Sequence, residues 1–290
     1  MSSSPATITG VTVVEAKRAT GWDVERTRSW LSNLADSEAP LVPVSAAIFE
    51  SASLRTGENV LDVGCGAGAT TVEAARLVGP AGRVVGLDIS PEMIDAARRR
   101  SDAVNIEWLV ADAGENDLPT QAFDAIISRF GLMFFPDPEV AFRRLYTACR
   151  RSGRLVASVW AQRAEVPYLA VPYEILTSVL DKHGARYTPV SGVDGPFSLG
   201  NPEQTAELFM RAGWAGIDCK LRRDPIYVGG PGTVQHAADA LVRVSSLLTG
   251  QPKELIAEAR TALTERLARW HDGIGVALPS GFLVITANRF

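Results

Sequence analysis

Short apolar runs alternate with longer amphipathic stretches through the middle of the chain. Val60-Leu61-Asp62-Val63 is the first such run, and residues 70–77 follow it with apolar positions at helical spacing. The same alternation repeats as 83–87 and 90–100, then 106–110, then 123–128 and 138–150, then 153–159. Compact runs rich in Val, Ile and Leu predict strands, and the segments with period 3.6 predict helices. Ser90 supplies a side-chain oxygen to cap the second helix, and Pro91 suits its first turn. Strands and helices in strict alternation imply βαβ units, hence a parallel sheet covered on both faces. Right-handed crossovers make that sheet doubly wound, with a ligand site at the carboxyl ends of its strands.

The flanks follow other rules. Residues 1–20 are rich in Ser and Thr and are expected to be loose. Residues 22–53 read as helical, with Trp30, Leu31 and Leu34 on one face and Pro40 and Pro43 as interruptions. Residues 162–199 break the βα rhythm. They hold Pro167, Pro172, Pro189 and Pro196, the tyrosines Tyr168, Tyr173 and Tyr187, and His183, and they predict an irregular insertion over the pocket. Asn201-Pro202 opens a helix that Gly213 ends; 217–228 reads as a strand, 233–248 and 252–270 as helices, and 281–287 as a closing strand. The expected division is an N-terminal helical lid (1–53), a ligand-binding core (54–161), a lid insertion (162–200) and the remainder of the core with inserted helices (201–290).

Composition narrows the classes. Of 290 residues, 46% are hydrophobic and 21% charged, which places the chain among globular proteins. A formal net charge of −4 argues against gripping nucleic acid by its phosphates. The basic runs Arg98-Arg99-Arg100 and Arg150-Arg151 read as solvated helix ends. Cys65, Cys149 and Cys219 are widely spaced and form no CxxC, so neither a disulfide framework nor a metal site is expected. No secretory signal is recognisable in the first residues and no run suits a membrane span, so the expected compartment is the cytoplasm.

Chemistry concentrates after the first strand. Gly64-Cys65-Gly66-Ala67-Gly68 lets the backbone turn tightly and lets a ligand approach without a Cβ in the way. Amides at the start of the following helix favour an anionic group. Alone this turn names no ligand, because Gly64-x-Gly66-x-x-Ala69 also satisfies the dinucleotide pattern. Asp88 ends the next strand 20 residues past Gly68, where a carboxylate accepts from ribose hydroxyls in either type of site. Asp112-Ala113 follows the third strand, where a carboxylate can accept from an adenine amino group. Asp62 adds negative charge beside the turn, which suits a cationic ligand better than the phosphates of NAD.

Together these residues resemble the class I, seven-stranded methyltransferases that use S-adenosylmethionine. Asp62, Gly64, Gly66 and Gly68 match the family's first motif, Asp88 its ribose acid and Asp112-Ala113 its adenine motif. The run 123–128 matches the segment facing the methyl donor, and Gly153-Arg154-Leu155 the entry to the fifth strand. The resemblance covers about 100 residues. It implies S-adenosylmethionine as cofactor, with Ile89, Met93, Ser128 and Trp22 joining the residues above around it. It also implies that 215–228 is the sixth strand and 281–287 the seventh, inserted antiparallel between fifth and sixth. Trp22-Asp23, Trp30 and the Pro43 helix resemble, within the family, the quinone-biosynthesis C-methyltransferases. Ser128-Arg129-Phe130-Gly131 departs from the Asp/Asn-Pro-Pro-aromatic motif of enzymes that methylate exocyclic amino groups of bases. No Pro-Cys nucleophile follows the fourth strand. A small-molecule acceptor is therefore expected, with the accepting atom (O, N or C) open.

A proton-bearing oxygen acceptor needs a base, and histidine suits that role near neutral pH. His183, within the insertion, is the candidate; His236 and His271 read as structural. Phe130, Met133 and Phe134, with Trp30, Tyr168 and Tyr173, are the candidate walls of an acceptor pocket. The rival readings are a nicotinamide-dependent oxidoreductase and a protein that binds the donor on this fold without methylating. The oligomeric state stays open, a homodimer among the states admitted.

Overall fold

The computed structural model describes residues 24–187 and 195–290. Trp22 and the rest of residues 1–23 lie outside the described residues. Seven strands, β1 (Asn59–Val63), β2 (Arg83–Asp88), β3 (Ile106–Val110), β4 (Phe123–Arg129), β5 (Cys149–Trp160), β6 (Ala215–Tyr227) and β7 (Ala277–Asn288), form one sheet in the order β3-β2-β1-β4-β5-β7-β6. β7 alone among them runs antiparallel, wedged between β5 and β6. The order reverses between β1 and β4, which marks the carboxyl ends of those two strands as the ligand edge.

The N-terminal helices are α1 (Val24–Ser32), α2 (Leu34–Glu38) and α3 (Val42–Ala52), followed in the core by α4 (Ala69–Val78), α5 (Pro91–Arg100) and α6 (Pro138–Ala148). The C-terminal part holds α7 (Pro167–Lys182), α8 (Pro202–Arg211), α9 (Val234–Val244) and α10 (Lys253–Leu267). The caps expected from sequence form: Ser90 Oγ accepts from the Met93 amide at 3.2 Å, and Asn201 Oδ1 from the Gln204 amide at 2.9 Å. Central strands buried on both faces need continuous apolar runs, and Val60, Leu61, Ile126, Ile127 and Leu155 are fully buried.

Three expectations change. Residues 149 and 150 belong to β5 rather than to a helix; Cys149 pairs with Phe123, and Arg150 forms an ion pair with Asp124 at 2.7 Å. The segment after β5 is largely a regular helix. Pro167 occupies the first turn of α7, where its missing N–H costs nothing, and Ile175, Leu176, Val179 and Leu180 recur at helical spacing to bury one face. Proline count hid that period. Finally, Arg100 is exposed at its helix end as expected, but it is also tethered. Its guanidinium holds the Glu38 carboxylate with both nitrogens and also donates to the Ala67 carbonyl at 2.9 Å.

Two apolar clusters result. The larger packs both faces of the sheet; the smaller gathers α7, α9 and α10 against the start of β7 through Leu176, Leu255, Leu263, Leu267 and Leu278. Each such buried leucine contributes about 2 kcal/mol of transfer free energy. The N-terminal helices are fastened to both halves. Arg154 holds the end of α3 through the Ala52 carbonyl at 2.5 Å and Glu58 at 2.8 Å. Arg243 of α9 pairs with Asp36 at 2.5 Å.

Candidate functional site

The glycine turn between β1 and α4 is shaped by its neighbours. A Cβ on Gly64 would stand 2.9 Å from the Gly131 Cα, and one on Gly68 would stand 2.5 Å from the Trp108 ring. Packing thus demands glycine at both positions. Gly66 differs. Its φ of 54° lies in the left-handed region, and a Cβ there would meet nothing within 4 Å. The turn is closed on its protein side and open at Gly66, which is the geometry a ligand cradle requires. Sequence reasoning missed Gly131: its own Cβ would stand 2.5 Å from the Val63 carbonyl oxygen, so the loop after β4 can approach the turn only as glycine.

Three buried carboxylates surround this opening. Asp88 Oδ2 accepts from the Gly66 amide at 2.8 Å, and Oδ1 accepts from the Ser90 amide at 2.9 Å. The side chain therefore pins the turn as well as facing it, and each oxygen keeps a lone pair for a hydroxyl. Burial pushes its pKa up, opposed by the amides of Ser90 and Gly66. Asp112 caps its own loop by accepting from the Gly114 amide at 2.7 Å, while Asn116 Oδ1 accepts from the Asp112 amide at 2.7 Å. Asn116 was not foreseen; only the Asx-turn spacing hints at it.

Asp62 is the most perturbed. Its Oδ2 accepts from both Thr70 and Thr71 hydroxyls at 2.7 Å, while Oδ1 is buried without a hydrogen-bond partner among the described residues. Burial pushes the carboxyl up to about 6 despite those hydroxyls and the nearby Arg129. An orphaned buried carboxylate oxygen is costly unless a donor from outside completes it. The ammonium of an amino-acid head has the required charge and donors. The ligand implied by the family resemblance thus fits the residues present: Asp62 for a cationic head, Asp88 for ribose hydroxyls, Asp112 for an adenine amino group, and Gly66 for close approach. Ile89 stands half-buried beside Asp88, and Met93 and Ala113 are buried around it. Ser128 is buried and donates to the Val63 carbonyl at 2.7 Å, so its hydroxyl ties β4 to the turn. Trp22 lies outside the described residues.

The chemistry beyond β4 is apolar. Phe130 stacks on Trp160 with centroids 4.1 Å apart, and Tyr168 lies 5.9 Å beyond Trp160. Met133 Sδ accepts from the Trp160 amide at 3.3 Å, and Ser198 donates to the Met133 carbonyl at 2.8 Å. Phe134 and Trp30 pack against the same large cluster. Trp160, absent from the sequence-based set, is the centre of this wall. Burial alone pushes the Tyr168 phenol up to about 12. Tyr173 goes elsewhere: it packs on the smaller cluster beneath the Arg163 guanidinium at 5.3 Å.

The structure does not bring His183 to the carboxyl edge. It follows the last residue of α7, about 24 Å of helix from Pro167, and its exposed ring hydrogen-bonds Glu258 of α10 at 2.8 Å, a carboxylate that Lys182 also pairs with. His236 Nε2 bonds the Gly229 carbonyl at 2.9 Å, and His271 Nε2 bonds the Gly232 carbonyl at 3.0 Å. All three histidines have structural partners.

Comparison with known proteins now bears on this geometry. Residues 60–153 match the methyltransferase domain family. Those residues contain the glycine turn, all three carboxylates and the β4 edge. Over this stretch the chain is similar to that domain family. The sheet order and the antiparallel seventh strand are those of the class I methyltransferase fold. The ubiquinone/menaquinone biosynthesis C-methyltransferase of Cellvibrio japonicus is 31% identical over 148 residues, covering 50% of this chain and 56% of that protein. The aklanonic acid methyltransferase of Streptomyces sp. strain C5 is 35% identical over 116 residues, covering 39% of this chain and 53% of its own length. The chain thus spans about half the length of the relatives it matches. A Haemonchus contortus phosphoethanolamine N-methyltransferase, solved with S-adenosylhomocysteine, superposes with a TM-score of 0.56 at 16% identity. That superposition covers 91% of this chain and 59% of the other, and shows the fold. Among the described residues, no helix is long and apolar enough to cross a membrane.

Proposed function

We propose that the chain transfers the methyl group of S-adenosylmethionine to a small-molecule acceptor held between the β4 edge and the N-terminal and α7 segments. The observation that carries this reading is the buried, half-satisfied Asp62 beside the open face of Gly66, since together they take the ammonium of an amino-acid head and exclude a pyrophosphate. Bound S-adenosylmethionine supplies an activated methyl group on sulfur. The protein's share is to align the acceptor and exclude water. The stacked Phe130 and Trp160, with Tyr168, provide a dry wall for that. Relatives named for quinone and polyketide-acid methylation support a small acceptor. Glu38, clasped by Arg100 against the carbonyl of Ala67, supports the N-terminal segment as a cover over the turn. Incubation with S-adenosylmethionine and a panel of phenols, quinols and amines tests the reading. Release of S-adenosylhomocysteine matched by a methylated acceptor supports it; tight donor binding without transfer to any class of acceptor would leave only a donor-binding protein.

A further inference from the structure

Arg129 closes β4 beside the glycine turn. Asp62 registers with Ile127, so Arg129, two residues further on, projects from the same face of the sheet as Asp62. That face is covered by α3, whose Ser45 hydroxyl accepts from Arg129 Nη1 at 2.8 Å. A guanidinium offers five N–H donors in a planar fork, and among the described residues this one bond is its hydrogen bonding. Nearby carboxylates are committed elsewhere: Glu38 is held by Arg100, and Asp62 gives one oxygen to the two threonines. Burial pushes the Arg129 pKa down, against the pull of Glu38 and Asp62 and with the repulsion of Arg100. The next residue, Phe130, has a left-handed φ of 60°, a strained turn for a side chain of that size.

Among the described residues, a carboxylate with an orphan oxygen and a guanidinium with donors to spare thus stand on one face at the ends of adjacent strands. We infer that Arg129 grips the α-carboxylate of the donor's amino-acid head while Asp62 takes its ammonium, so that the two side chains recognise a zwitterion. The inference rests on the donor reading above. The planar fork matches a carboxylate with two parallel hydrogen bonds, which a lysine could not supply. Ser45 orients the fork.

The test is calorimetric titration of the full chain with S-adenosylmethionine and with its decarboxylated analogue, which keeps the ammonium and loses only the carboxylate. The wild type is expected to bind the analogue about 30-fold more weakly. Arg129→Gln is expected to lose a similar factor for S-adenosylmethionine and to bind the analogue within about threefold of the wild type. Arg129→Lys, which preserves charge, should fall between them and serves if the glutamine variant does not fold. Ser45→Ala should keep the preference for the carboxylate, which separates ligand contact from anchoring of α3. If the Arg129 variants weaken both ligands equally, or neither, the inference is wrong and the arginine merely holds the helix. If the wild type binds neither ligand, it is the donor reading that fails.

Discussion

The two sides of the carboxyl edge are built by different means. On the β1–β3 side, backbone does the shaping: glycines without room for a Cβ, a turn pinned by Asp88, and carboxylates that accept from neighbouring amides and hydroxyls. On the β4–β5 side, side chains from distant segments do it: Phe130, Trp160 and Tyr168 stack, and Ser198 reaches back to Met133. The first design fixes one ligand shape and tolerates little. The second sets a wall whose occupant can change with a few aromatic substitutions. Donor affinity and acceptor choice should therefore be separable by mutation.

Gly66→Val should make the largest break. A branched side chain fills the open face of the turn and forces a left-handed backbone that valine resists. Donor affinity should fall by more than about 100-fold while native circular dichroism persists. Gly64→Ala gives the contrast. Its Cβ meets backbone, so thermal denaturation should show a loss of roughly 2–4 kcal/mol. A Gly66 variant with normal affinity would move the ligand off the turn.

Asp88→Ala should come next. A buried carboxylate that accepts two ligand hydroxyls and also holds the Gly66 amide is worth about 2–3 kcal/mol, or roughly 30- to 150-fold in affinity. Calorimetry on a folded variant with unchanged affinity would remove Asp88 from the site.

Asp62 sharpens the comparison through pH. Its pKa in the fold, about 6, stands above its ordinary value, so folding favours the protonated form. That contribution to stability, at most about 3 kcal/mol, is full below about pH 4 and is lost as pH rises through about 6. Affinity for the donor's ammonium runs the other way, because only the ionised carboxylate attracts it. Donor binding should weaken by up to about tenfold from pH 7 to pH 5, and Asp62→Asn should flatten both dependences. An unchanged pH profile in the asparagine variant would assign the titration elsewhere.

The acceptor side should respond least to donor measurements. Tyr168→Phe should leave donor affinity within about twofold while altering kcat/KM for the acceptor. Equal losses in both would mean that the two sides act as one unit.

What sequence revealed follows the same division. The strands β1 to β4, the Ser90 and Asn201 caps and the carboxylates at the strand ends were legible because each depends on local spacing and on residues close in the chain. The seventh strand's place between β5 and β6 came from the family resemblance, not from its own pattern. The helix α7 was hidden by its prolines, although its apolar residues keep the helical period. Trp160 and Gly131 gave no local signal, since each is defined by a partner that is near only after folding: Phe130 for one, Val63 for the other. His183 looked available for chemistry because the chain alone cannot show that α7 carries it away to Glu258.

The glycine turn should accept an adenosyl ligand that carries an amino-acid head on its sulfur. Titration of the full chain with S-adenosylhomocysteine and, separately, with NAD tests it most directly. Saturable one-site binding of S-adenosylhomocysteine, lost in Gly66→Val, with no binding of NAD, is the expected result. Binding of NAD with no response to S-adenosylhomocysteine would contradict the account.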